Sequence, residues 1–527
     1  MRRNQEAFLI LFWAVLLGGF LRFYPALQAG FPINDGGLFY NLILDLLANN
    51  FRLPAFSSFN GGALPFAYPP LPFYLSALLV RLFALDPLQL LRWLPALFAT
   101  LCLIPFYFLA RELLRDPVKA ALATFSYALL PESFAWFVMG GGLTRSLGRF
   151  FALLTLFLVY KLFTTRQRRL VLPVALAAAG LSLSHPEATV HTLGMVFIFW
   201  LFFGRNRAAV VHSMLVAGLT LLFTAPWWGT ITGQHGWQIF RAAAQTGWQS
   251  LFGITFLLSD FTFELGLSLI GVLALIGLLA HLLRKQFLLP LLLLTPVLIE
   301  PRSAPTVVVI PAALLAADAL VEVIFPAFAR FSKRDPGSEE SEPPLLPLSG
   351  SLRPVTAFYL LYPLLGAFSL AMILSANALQ PAEQTAIQWV KANTAPDARF
   401  VLVTPTTTDM DTPVQEWFPT LSGRVSQNVV QGYEWLGREV FFRRRDNFAR
   451  LTGCAYQTVT CLTDWQTATG LDFDYLYLAP QFVKTYYEYG GVTGLPVGNA
   501  LLQSVQASPN YQPVYARDGI YIFKKRK

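Results

Sequence analysis

A small set of ionisable and polar residues stands out because apolar sequence surrounds most of them. Asp35 sits in Asn34-Asp35-Gly36-Gly37, directly before an apolar run. A carboxylate there is able to take a proton from an attacking group; an Asp before two glycines and a helix is also a good N-cap or turn former. Glu132 follows Pro131 at the end of another apolar run, and the segment after it closes in Gly140-Gly141-Gly142-Leu143-Thr144-Arg145. It reads as a functional acid or as a solvated helix end. His185-Pro186-Glu187 sets an imidazole and a carboxylate two positions apart, which suits a phosphate, a metal ion or the orientation of an acceptor. His191 reads as a core histidine. Arg145 and Arg302 carry guanidinium groups able to grip a phosphate bidentately, although Glu300-Pro301-Arg302 also reads as a local ion pair. Tyr433 and Glu434, in Gln431-Gly432-Tyr433-Glu434-Trp435, and the segment from Trp417 to Arg424 read either as a cover contacting an acceptor or as the core and turns of their own domain. No Gly-rich phosphate loop, nucleophile elbow or Cys-pair metal motif occurs.

The elements that must position these groups are membrane helices. The 527 residues are 55% hydrophobic, 15% aromatic and only 13% charged, where a soluble domain has roughly 25% charged residues. That balance excludes disorder for most of the chain, and three cysteines exclude a disulfide-dense scaffold. About eleven stretches approach the length of a membrane span: 7–24, 88–110, 117–131, 146–164, 170–184, 188–204, 207–225, 265–283, 287–299, 305–326 and 354–376. With the N-terminus inside, most basic residues of the membrane part fall in inside segments, including Arg2, Arg3, Arg111, Arg115, Arg166, Arg168, Arg169, Arg205 and Arg207. Arg22, Arg145, Arg149 and Arg302 fall among the fewer outside ones. The net charge of +9 is thus a topology signal, and no nucleic-acid partner is expected. The first run lacks a cleavage pattern and reads as a retained anchor. Residues 330–353 read as a disordered cytoplasmic linker. The aromatic segment 226–250 (Trp227, Trp228, Trp237, Trp248) reads as an outside loop with interfacial anchors, or alternatively as a sugar-stacking surface. Asp260 and Glu264 read as a solvated face. Asp318 and Glu322 lie near the inner end of their helix, too deep for an outer site. No internal repeat is visible, which weighs against a transporter.

The first outside loop, 25–87, carries two apolar segments. In 38–50, Asn41, Asp45 and Asn49 recur every four residues, one polar stripe on a helix expected to lie in the interface plane. The second, 69–86, is long enough to span, but spanning would switch the side of every later basic cluster. It is expected to be juxtamembrane or re-entrant. The order of an anchor helix, Asn34-Asp35-Gly36-Gly37, a polar-striped helix, Gly61-Gly62 and Tyr68-Pro69-Pro70 opening a second surface helix resembles the class C glycosyltransferase superfamily. That group includes oligosaccharyltransferases, protein O-mannosyltransferases and aminoarabinose transferases. The resemblance covers roughly 1–376. It implies that Asp35 is the general base, or shares that function with a metal. It further implies that Glu132 lies in the loop that supplies metal ligands, and that Arg302, with Arg145 and His185, holds the donor phosphate. Glu187, Asn34, Tyr433 and Glu434 are then acceptor or metal contacts. A divalent ion, Mg or Mn, is in doubt because the DxD-like pattern of the oligosaccharyltransferases is absent.

Residues 377–527 read as an extracytoplasmic α/β domain, with helices at 381–393 and 436–451 and strands at 399–404, 475–479 and 520–524. Cys454 and Cys461, seven apart, suit a disulfide in an oxidising compartment, whereas Cys102 lies in a membrane helix. The fold expected is a mainly α polytopic membrane protein of the class C glycosyltransferase kind, carrying that domain outside. The expected activity is inverting transfer of a sugar from a polyprenyl phosphate to a glycan, lipid or protein acceptor at the outer face of the plasma membrane. The competing expectation is a lipid-linked sugar flippase or transporter.

Overall fold

A computed structural model of the protein describes residues 2–246, 268–332, 347–348, 350, 352–405, 412–483, 493–495 and 497–526. Trp248, Asp260, Glu264 and most of the 330–353 linker lie outside the described residues. The membrane part comprises α1 (Arg2–Ala29), α2 (Gly37–Ala48), α3 (Leu71–Phe83), α4 (Pro87–Leu101), α5 (Leu103–Leu114), α6 (Pro117–Leu129), α7 (Gly142–Thr165), α8 (Val171–Ser182), α9 (Pro186–Phe203), α10 (Arg207–His235), α11 (Gln238–Ala244), α12 (Leu269–Leu283), α13 (Leu288–Ile299), α14 (Ala304–Ala319), α15 (Phe325–Ser332) and α16 (Leu352–Leu374). Each expected apolar stretch is helical where it is described. Among the described residues, seven helices are long and apolar enough to cross a membrane: α1, Pro87–Leu114, α7, α9, α10, Ala304–Arg330 and α16. The pair α12 and α13, bent by 119°, makes an eighth if taken as one span. The count falls below the expected eleven because α6, α8, α12 and α13 have only 13, 12, 15 and 12 residues. α6 is buried along most of its length, so protein packing explains its apolar sequence without lipid.

Three expectations change. Residues 226–235 are not an outside loop: α10 continues through Pro226 to His235, so Trp227 and Trp228 are helical residues. Arg22 and Arg149 do not lie in outside loops either. Arg22 is fully buried and donates to the carbonyls of Gly18, Ala99 and Ala128 and to Ser133 Oγ. Arg149 is buried in α7 and donates to Thr306 Oγ1 at 3.2 Å. A guanidinium in a helix bundle is costly unless its donors are used. Finally, two residues of the α2 polar stripe, Asn41 and Asp45, meet protein groups, and Asn49 is exposed. Asn41 donates to Ser58 Oγ at 2.9 Å, and Asp45 accepts from Ser57 Oγ at 2.9 Å and from the Ser58 amide at 3.0 Å. α3, with 13 residues, is shorter than a membrane span.

The C-terminal part adds α17 (Pro381–Asn393), α18 (Pro413–Ser422), α19 (Arg438–Gly453), α20 (Val459–Thr469) and α21 (Asn499–Ala507). Its strands are numbered after the short antiparallel pair β1 (Phe56–Ser57) and β2 (Leu64–Pro65) of the first loop. They are β3 (Arg399–Val403), β4 (Val425–Ser426), β5 (Tyr475–Leu478), β6 (Gln481–Val483), β7 (Thr493–Leu495), β8 (Tyr511–Arg517) and β9 (Ile520–Lys525). A five-stranded sheet runs β4-β3-β5-β9-β8, parallel around β3 and antiparallel at β9. Cys454 and Cys461 form a disulfide between α19 and α20. One apolar core joins this part to the first loop, because Phe39, Phe59, Phe66 and Phe73 pack in the same cluster as Phe400, Trp417 and Phe418. Burying side chains of this size contributes about 3 kcal/mol each, so the two parts are held together by more than the chain linking them.

Candidate active site

Asp35 lies in a turn that three segments hold. Its neighbours have left-handed or glycine-type backbones: Asn34 has φ 52° and Gly36 φ 131°. The carboxylate is buried. The Gly141 amide donates to Oδ1 at 2.8 Å, and Arg145 Nη2 meets Oδ2 at 3.0 Å. The Gly140-Gly141 run makes room for this approach. A Cβ on Gly140 would collide with the Asp35 carbonyl, and a Cβ on Gly141 with Asp35 Oδ2. The Gly140 amide also donates to the Ile33 carbonyl at 2.8 Å. From the C-terminal part, Trp417 Nε1 donates to the Asn34 carbonyl at 2.9 Å, and the Asn34 amide donates to the Asn377 carbonyl at 2.5 Å. The Asn34 side chain turns to Met139 Sδ at 3.7 Å, and so binds the membrane part's own loop.

Arg145 and Arg302 act with Asp35 on the buried Tyr68. Arg145, at the start of α7, also donates to the Trp136 carbonyl at 3.3 Å and lies over the Trp136 ring. Arg302 precedes α14 and pairs with Glu187 of α9, while Glu300 accepts from the Arg302 amide at 3.1 Å. The local ion pair read from the sequence is present, with Arg302 Nε 3.8 Å from Glu300 Oε1, beside the pair with Glu187. Burial would raise the Glu300 carboxyl, but hydrogen bonds from His191 and Ser303 outweigh it and hold the carboxyl low. His191 is buried and meets Ser303 Oγ at 2.9 Å, as a core histidine would. His185 caps α9; its Nδ1 accepts the Ala188 amide at 3.2 Å. Burial, with the charges of Arg145, Arg149 and Arg302, lowers its imidazole to about 3. It is neutral at physiological pH, and its Nε2 then carries the proton.

Tyr68 links the two ends of the site. Burial pushes its phenol up, and Glu434, Arg145, Asp35 and Arg302 all act on it electrostatically. Its ring meets Trp435 edge-on at 5.5 Å. Glu434 follows Tyr433 in the short turn Tyr433–Leu436; burial raises its carboxyl against the pull of backbone amides and Arg302. Tyr433 reaches the first loop, its hydroxyl accepting from Asn60 Nδ2 at 3.2 Å, while Arg444 lies over its ring. Glu132 is buried in the turn Pro131–Ser133, next to the Ser133 hydroxyl that receives Arg22. Asp318 and Glu322 bind Lys119, with His281 on Asp318, away from this constellation. The residues that the sequence pointed to only within a motif or segment are Tyr68, Gly141 and Trp417. Their signal was present in Tyr68-Pro69-Pro70, in the triple glycine and in the segment from Trp417 to Arg424.

Each oxygen of Asp35 already meets a donor, the Gly141 amide or Arg145. Among the described residues no three His, Cys, Asp or Glu side chains gather into a metal-binding group.

Residues 67–229 match the family model described as dolichyl-phosphate-mannose-protein mannosyltransferase. No curated protein matches the sequence. Three of the solved structures that resemble the chain do so over at least 90% of its length. ArnT from Cupriavidus metallidurans bound to undecaprenyl phosphate has a TM-score of 0.56 at 14% identity, over 98% of this chain and 97% of that one. The archaeal oligosaccharyltransferase AglB from Archaeoglobus fulgidus, in complex with an inhibitory peptide and a dolichol-phosphate, also has 0.56 at 14%, over 90% of this chain and 69% of that one. The arabinofuranosyltransferase AftD from Mycobacteria has 0.57 at 16%, over 98% of this chain but only 40% of its own length. The chain thus shares its fold with these three proteins, and its residues 67–229 match the protein mannosyltransferase family model.

Proposed function

We propose that the protein transfers a sugar, with inversion, from a polyprenyl-phosphate donor to a glycan, lipid or protein acceptor at the outer face of the plasma membrane. The observation that carries this is the buried Asp35 carboxylate, held between the Gly141 amide and Arg145, whose charge acts on His185 together with that of Arg302. Two of the similar structures are complexes with a polyprenyl phosphate. In the reaction the acceptor atom attacks the anomeric carbon from the face opposite the phosphate. One bond forms there while the carbon–oxygen bond to the phosphate breaks. Asp35 takes the acceptor proton, and the bonding pair leaves with the phosphate oxygen. Arg145 and Arg302 meet that growing charge, and the neutral His185 supplies an N–H without adding charge. Glu187 keeps Arg302 oriented, and Tyr68 with Glu434 lines the acceptor side. Glu132, Asn34 and Tyr433 support this arrangement from the loops around it.

The test uses the purified protein in liposomes with a polyprenyl-phosphate sugar. Asp35→Asn should lower transfer by at least about 100-fold with an unchanged unfolding temperature. Full activity in that variant overturns the assignment. Translocation of the lipid-linked sugar without product formation would favour a flippase.

A further inference from the structure

We propose that Trp417, on α18 of the C-terminal part, is a positioning residue that aims Asp35 through the peptide plane before it. This rests on Asp35 being the base. The indole N–H reaches the Asn34 carbonyl at 2.9 Å, and Trp417 is fully buried. That carbonyl shares its plane with the Asp35 amide, so fixing one fixes the start of the other. The turn does not hold its own shape. Asn34 at φ 52° is a non-glycine residue in the left-handed region, which costs about 1 kcal/mol, and Gly36 at φ 131° restrains nothing. The restraint comes from outside, on two sides. On one side stand the Gly140 and Gly141 amides.

On the other side stands α18. The Trp417 ring packs edge-on to Phe31 at 4.8 Å. A Cβ on Gly36 would lie 3.0 Å from the ring and 3.2 Å from Gly140 Cα, so the turn is sandwiched between the indole and the glycine run. One helical turn on, the Thr420 hydroxyl reaches the Gly37 carbonyl at 2.9 Å and Asn41 Oδ1 at 2.8 Å, which holds the first turn of α2 against the same helix. The C-terminal part thereby acts as one jaw of the site, and the loop before α7 as the other. A displacement near 1 Å at a catalytic group costs about 100-fold in rate, so losing one directional bond here should be read in turnover rather than in donor binding.

Trp417→Phe keeps a ring and removes the donor. It should lower kcat about 10- to 100-fold while the donor KM stays within about twofold. Trp465→Phe is the matched control, because Trp465 also loses a buried indole bond, to the Asn447 carbonyl at 2.8 Å, in the same part of the chain. It should lower stability comparably and leave kcat unchanged. Thr420→Val probes the same jaw if Trp417→Phe does not fold, with the same split of kcat from KM. Backbone hydrogen exchange over residues 31–41 reads the clamp without the reaction: it should rise in Trp417→Phe and not in Trp465→Phe. A Trp417→Phe enzyme with normal kcat, beside an inactive Asp35→Asn, overturns the clamp and leaves the function standing. If Asp35→Asn is active the function fails, and unchanged exchange over 31–41 would then remove the clamp as well.

Discussion

At the scale of single residues, the site is built by what is left out as much as by what is present. Gly141 has φ −67° and ψ −12°, ordinary helical values open to any residue. Glycine is needed there for space, since a Cβ would meet Asp35 Oδ2. Gly141→Ala should therefore lower transfer by about 100-fold with little change in unfolding temperature. Gly229→Ala, where nothing stands within 4 Å, should be active and more stable by about 0.5–1 kcal/mol. His185 gives a second prediction. Its imidazole is held near 3, below the unfolded value of about 6.5, so the unfolded chain binds the extra proton. The stability linked to His185 is complete above about pH 6.5. It falls as the pH drops toward 3, by at most about 1.4 kcal/mol per unit. Thermal unfolding of His185→Gln should lose less than wild type between pH 6.5 and 5. An equal loss in both proteins would show that the histidine is protonated in the folded state.

At the scale of elements, the start of α17 carries a charge that the fold neutralises. Glu383 closes a capping box with Gln380, accepting its amide at 2.8 Å. Burial nevertheless raises its carboxyl to about 8, with the Gln380 amide pulling the other way. The folded state thus keeps a proton that the unfolded chain releases above about 4.5. Stability linked to Glu383 is complete below that pH and is lost as the pH rises toward 8. Glu383→Gln should match wild type at pH 4.5 and be more stable at pH 8, as read by unfolding temperature. α17 itself was legible in Pro381–Asn393, and so were most spans, because hydrophobic length and helix-start signals are local. Asp35, Arg145, His185 and Arg302 could be picked out because a charge beside an apolar run needs a reason. What the sequence did not show depends on distant partners. The stripe of Asn41 and Asp45 looked like an interfacial face because Ser57, Ser58 and Thr420 meet it only after folding. Arg22 and Arg149 counted as loop charges because carbonyls and Thr306, far along the chain, satisfy them. The helix through Pro226 was hidden because proline usually ends one.

At the scale of the whole molecule, one geometric fact fixes which parts share a side of the membrane. α7, α9 and α14 all begin at the site, after Gly141, His185 and Ser303. The C-terminal part touches that same end through Trp417 and Thr420. The far ends carry the charge: α7 ends before Arg166, Arg168 and Arg169, and α9 before Arg205 and Arg207. Arg3 pairs with Asp116 at 3.1 Å, and Lys119, Asp318, His281, Glu322 and Arg284 cluster together. The N-terminus and the basic turns thus mark one face, and the site with the C-terminal part marks the other. Basic residues near span ends favour the cytoplasmic side, so the site should open outward. The native cysteines leave a clean background for testing this, because Cys102 is buried and Cys454 and Cys461 are bonded to each other. In intact cells, a membrane-impermeant maleimide should label Gln512→Cys on β8. It should label Gln167→Cys, in the turn after α7, only once the cells are opened. The reverse pattern would put the site and the C-terminal part in the cytoplasm, where the transfer would draw on a donor facing the other leaflet.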